Sequence, residues 1–63
     1  MAQLSLENVR ILLCEDDIVL GSLLAAYLQR MNFEVDHCAN GEEGLAHFQK
    51  RHYDLCLSDI NND

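Results

Sequence analysis

The chain has 63 residues, 49% of them hydrophobic and 24% charged, with eleven acids against four bases and a formal charge of -7 at pH 7. That is enough for at most one small domain, of a size that buries only about 60% of its unfolded surface and is marginally stable. Arg10, Arg30, Lys50 and Arg51 are spread along the chain, so they make no basic patch, which argues against a nucleic-acid surface.

The N-terminus MAQLSLENVR has no basic start followed by a long apolar core, so no signal peptide is read there. No run approaches the roughly 18 apolar residues of a membrane span. No membrane association and a cytoplasmic location are the expectations. Cys14, Cys38 and Cys56 lie far apart in apolar runs, without metal-site spacing, and read as reduced cysteines packing as small hydrophobes.

The elements follow in chain order. VRILLC, residues 9–14, is almost continuously apolar, as in a parallel strand covered on both faces. Strand 1 is expected over about 9–15. Leu20, Leu23, Leu24, Tyr27, Leu28 and Met31 then recur at intervals of three and four. That spacing predicts an amphipathic helix over about 17–31 with one broad buried stripe, Tyr27 included. Asp16 or Asp17 can cap its start, and Asn32 is a left-handed stop. FEVDHCA predicts strand 2 over about 33–39, polar enough for a sheet edge.

Asn40-x-x-Glu43 has the form of a capping box and opens helix 2, about 41–51, with Leu45 and Phe48 as its apolar face. Lys50 and Arg51 suit the negative end of its dipole. YDLCLSD predicts strand 3 over about 53–59, with Tyr53 packing at its start. The order β-α-β-α-β with short connections calls for a parallel sheet with right-handed crossovers, which place the two helices on opposite faces.

In such sheets ligands bind beyond the carboxyl ends of the strands. If strand 1 lies beside strand 3, Glu15, Asp16 and Asp59 emerge at one edge of the sheet. Carboxylates crowded together repel, and a divalent cation or a shared proton relieves that. The plainer reading is that the acids after strand 1 cap helix 1 and that Asp59 ends a strand in water. His37, His47 and His52 are expected to be surface or partly buried imidazoles, none of them near the acids.

ILLCEDD, ANGEEGL and YDLCLSDIN, in this order and at these separations, resemble the receiver domain of bacterial two-component response regulators, in its N-terminal portion. The resemblance runs from about Val9 to Asn61. It implies a truncated flavodoxin-like α/β fold, a three-stranded parallel sheet in order 2-1-3, with residues 1–63 forming a partial receiver domain. It implies that Asp59 accepts a phosphoryl group from the phosphohistidine of a sensor histidine kinase. It also implies a Mg²⁺ site made by Glu15, Asp16 and Asp59 with the backbone carbonyl of Asn61. Asp17 falls outside that pair and reads as a helix cap. The domain would then be a phosphoacceptor signalling module rather than an enzyme, in a protein that controls transcription.

The chain departs from the family pattern after Asp59. Asn62-Asp63 stand where the family usually has Met-Pro. The Ser or Thr of a fourth strand and the Lys of a fifth have no counterpart here. The expectation is therefore weak Mg²⁺ binding and impaired phosphorylation in these 63 residues. The alternative is a truncated receiver-like binding module that self-associates through the exposed edge of strand 3 without phosphotransfer. A different aspartate-nucleophile hydrolase would want an acid two residues after Asp59, where this chain has Asn61.

Overall fold

A computed structural model describes residues 9–58 of the chain. Five elements follow one another: β1 (Arg10–Cys14), α1 (Ile18–Arg30), β2 (Glu34–Cys38), α2 (Gly41–Lys50) and β3 (Leu55–Ser58). The three strands are parallel in the order β2-β1-β3. This is the truncated flavodoxin-like sheet the sequence predicts. Ile11 pairs with Val35 on one side and Leu55 on the other, and Cys14 pairs with Cys38 and with Ser58.

Each strand is joined to the next in the chain by a crossover helix, the connection that parallel strands require. β1 takes the centre because it is the most apolar strand. Ile11, Leu12, Leu13 and Cys14 are all at most 5% exposed. Burial of each large side chain there is worth roughly 1.5–3 kcal/mol. Alternate residues of β1 serve opposite faces. Leu12 and Cys14 join Cys38 and Tyr53 in a core on the α2 side. Ile11 and Leu13, of the opposite parity, point to the α1 side.

Local signals set the helix ends. Asp17 caps α1, its Oδ1 accepting from the Leu20 N–H at 3.0 Å. Asn32 adopts φ 71° after the helix, the left-handed stop its side chain tolerates. Asn40 caps α2, its Oδ1 accepting from the Glu43 N–H at 2.9 Å. Glu43 reaches back to the N–H of Ala39 at 3.0 Å rather than to that of Asn40, a capping box displaced by one residue.

The broad buried stripe on α1 is not what the structure shows. Ile18, Leu23 and Tyr27 are 67%, 64% and 63% exposed, and Leu20, Leu24 and Met31 are also exposed. The face turned to the sheet is Gly21, Ala25 and Leu28, of which only Gly21 is fully buried. The reason is close approach: a Cβ at Gly21 would overlap Cε1 and Nε2 of His37 on β2. A small residue at that position sets the helix down on the imidazole and turns the large leucines outward. Leu45 and Phe48 of α2 are likewise exposed, and Gly44 is the residue that meets the sheet.

β3 begins at Leu55, two residues later than the sequence reading. Before it, Asp54 clamps the start of β1: its N–H donates to the Arg10 carbonyl at 2.8 Å, and its Oδ2 accepts from the Arg10 N–H at 2.9 Å. All four residues of β3 are exposed. Among the described residues, no strand lies on the far side of β3.

Candidate functional site

Glu15 and Asp16 leave the carboxyl end of β1, the central strand, where the fold predicts a ligand site. Asp16 is exposed, whereas Glu15 is buried at 3% exposure. The Glu15 peptide is held from both sides by the end of β2. Its N–H donates to the Cys38 carbonyl at 2.9 Å. Its carbonyl accepts from Nε2 of His37 at 3.0 Å; a carbonyl cannot donate, so that nitrogen carries the proton.

The Glu15 carboxylate is held at one oxygen and unpaired at the other. Oε2 accepts from the Asp17 N–H at 2.9 Å. Oε1 is buried and has no hydrogen-bond partner among the described residues. A buried carboxylate oxygen with no partner is costly. Among the described residues, no lysine or arginine pairs with Glu15. A hard cation at Oε1 relieves that cost, and an oxygen donor of this kind suits Mg²⁺.

Of the four residues expected to hold a metal, only Glu15 and Asp16 are among those described. Asp59 and Asn61 lie outside the described residues. Among the described residues, no group of three His, Cys, Asp or Glu side chains is arranged to hold an ion. Ser58, the last described residue, is the register partner of Cys14, so strands β1 and β3 reach this end of the sheet together.

His37 is the residue the sequence reading misplaced. The sequence places it away from the acids, whereas in the fold it contacts the Glu15 backbone. The signal that could have found it is Gly21: a glycine inside a leucine-rich helix marks a close approach by something large. The cysteines depart from expectation in part: Cys14 and Cys38 are buried but joined as a disulfide across β1 and β2, and Cys56 is reduced but exposed.

A second polar cluster lies ahead of β3. The buried Tyr53 hydroxyl donates to Asp36 Oδ2 at 2.5 Å and lies 3.4 Å from His47 Nδ1. Arg51 pairs with the same Asp36 oxygen at 3.5 Å. Burial raises the Tyr53 phenol above its usual 10.0, reinforced by the hydrogen bond to Asp36 and by its charge and opposed by Arg51 and Arg10. The cluster ties the approach to β3 onto β2 and the end of α2, and Phe48 packs edge-on against Tyr53 at 5.6 Å.

Comparison with known proteins agrees with the receiver-like fold. The chain is 48% identical over 54 residues to the transcriptional regulatory protein RprY of Bacteroides fragilis, covering 86% of this chain and 23% of the relative. It is 37% identical over 53 residues to the transcriptional regulatory protein ResD of Bacillus subtilis, covering 84% and 22%. It is 38% identical over 53 residues to the regulatory protein VanRB of Enterococcus faecalis, covering 84% and 24%. The chain thus spans about a quarter of the length of these relatives. No solved structure gives a significant match. No helix among the described residues is long and apolar enough to cross a membrane. The family model of the response regulator receiver domain matches residues 11–61, most of the sequence, and the chain belongs to that family.

Proposed function

We propose that the chain serves as the phosphoacceptor part of a response regulator, with Asp59 as the nucleophile. A carboxylate oxygen of Asp59 would attack phosphorus in line, and the P–N bond of a sensor kinase's phosphohistidine would break. The leaving imidazole then takes up a proton, and an aspartyl phosphate remains. Glu15, Asp16 and Asp59, with the Asn61 carbonyl, would hold Mg²⁺, which when bound neutralises charge on the phosphoryl oxygens. The observation that carries this reading is the buried Oε1 of Glu15 at the end of the central strand, unpaired among the described residues. In support, Asp59 directly follows Ser58, whose partner on β1 is Cys14, the residue before Glu15.

The output follows from the relatives' names. Regulatory proteins of transcription share this segment, and control of transcription by a longer protein is the proposed role. A cytoplasmic location goes with it. The test is incubation of the chain with acetyl phosphate and Mg²⁺, followed by intact mass. One added phosphoryl group, absent in Asp59→Asn and reduced in Glu15→Gln, is expected. No label, or a label that persists in Asp59→Asn, overturns the assignment. The only lysine in the sequence, Lys50, lies at the end of α2. Labelling is accordingly expected to be slower than in a receiver that carries the family's phosphate-pairing lysine.

A second reading rests on β3. Its four residues are exposed, Leu55 at 48% and Leu57 at 37%, and an open apolar edge recruits another strand. Self-association through that edge, without phosphotransfer, is the alternative. Sedimentation at rising concentration separates the two: a strictly monomeric, phosphorylatable chain removes the second reading.

A further inference from the structure

Cys14 ends β1 and Cys38 ends β2, and the two are register partners on neighbouring strands. Their Cα atoms are 4.8 Å apart, within the roughly 4.4–6.8 Å that disulfides span. Both are buried, at 5% and 1% exposure. Gly44 of α2 lies directly over them. A Cβ there would come within 2.8 Å of Cys14 Sγ and 3.3 Å of Cys38 Sγ. A side chain at that helix position would occupy the space the two sulfurs use. Beside the pair is an apolar cavity of about 280 Å³ lined by Leu12, Cys14, Gly44, Phe48 and Cys56. It reaches Cys14 but not Cys38, and the exposed thiol of Cys56 borders it.

We propose that Cys14 and Cys38 are a redox-reversible cross-strand bond, made and broken by exchange with a low-molecular-weight disulfide such as oxidised glutathione. Cys14 is the entry thiol because the cavity opens onto it. Its thiolate attacks one sulfur of the small disulfide, forming a mixed disulfide at Cys14 and releasing one thiolate. The Cys38 thiolate then attacks the Cys14 sulfur, closing the protein bond and releasing the second small thiolate. Two protein thiols are oxidised, one small disulfide is reduced, and the two thiol protons end on the released thiols. Cys56 stays free throughout.

The bond closes beside the candidate site. The Glu15 N–H donates to the carbonyl of Cys38 itself, so oxidation fastens the two strand ends that position Glu15. This inference does not depend on phosphotransfer at Asp59.

The experiment equilibrates the whole chain in glutathione buffers of rising oxidised fraction, traps thiols with iodoacetamide in denaturant and maps the peptides. Three labels are expected in reducing buffer. In oxidising buffer, one label on Cys56 and a Cys14–Cys38 crosslink are expected. Cys56→Ser is expected to close the same bond at the same buffer ratio. Oxidation in strong urea is expected to lose the preference for that pair, since it comes from strand register. Three free thiols at every ratio, a glutathione adduct confined to Cys56, or crosslinks that include Cys56 in the folded chain would overturn the proposal. The wild-type map decides between these outcomes even where a variant folds poorly.

Discussion

β1 and β3 are neighbouring strands of similar composition, RILLC and LCLS, yet their environments are opposite. Leu12 of β1 is fully buried, while its register neighbourhood on β3, from Leu55 to Ser58, is exposed throughout. The difference is not in the strands. β1 has a strand on each side, and both helices pack against it. Among the described residues, β3 has β1 on one side only, and neither helix settles on it. Apolarity states what a strand would gain by burial, and neighbours decide how much of that gain is realised.

The largest test of that contrast is a matched pair of truncations. Leu12→Ala is expected to cost about 2–5 kcal/mol, enough to unfold much of so small a domain. Leu57→Ala is expected to cost about 0.5 kcal/mol or less. Urea titration followed by circular dichroism measures both, and equal costs would show that β3 is as buried as β1 in solution.

The next test concerns the cover over β2. Gly21→Ala drives a Cβ into the His37 ring and is expected to cost about 1–3 kcal/mol through overpacking. His37→Ala in the same chain is expected to recover most of that loss. If the double variant is no more stable than Gly21→Ala alone, the close helix–imidazole contact is not what Gly21 serves.

The smallest effect is expected at the entry to β3. Tyr53→Phe removes a hydroxyl bound to Asp36, with an expected loss of about 1 kcal/mol. The phenol's raised pKa has a definite sign. Folding favours the protonated form, so its contribution is complete below the ordinary value of 10.0 and disappears as pH climbs through the higher folded value. Wild-type stability should therefore fall above about pH 10 more steeply than that of Tyr53→Phe. Parallel curves for the two proteins would contradict the burial of the phenol and its contact with Asp36.

Much of the fold is legible in the residues because it rests on short-range chemistry. Asp17, Asn32 and Asn40 each act within four residues of themselves, and each is found in the role its side chain dictates. The continuous apolarity of β1 marks a central strand for the same reason. The candidate site is only half legible. The acids after β1 are found at the carboxyl end of the sheet, but the unequal fates of Glu15 and Asp16 are not visible in the sequence. One is buried and the other exposed because β2 grips the Glu15 peptide through His37 and Cys38, residues more than twenty positions away. The stripe on α1 is not buried as its spacing predicts, because periodicity identifies a helix and its apolar side, not which side a neighbour can approach most closely.

The sequence by itself therefore determined the β-α-β-α-β order, the helix caps, the family and the acids that point to its chemistry. Those follow from local hydrogen bonding, from hydrophobic period and from motif spacing. Tertiary structure alone decided that α1 rests on Gly21 rather than on its leucines. It also decided that His37 supports Glu15, that Tyr53 anchors the approach to β3, and that Cys14 meets Cys38 beneath Gly44. Each of these joins residues distant in the chain through shape and register, and spacing along a single strand or helix carries no record of what will lie across from it.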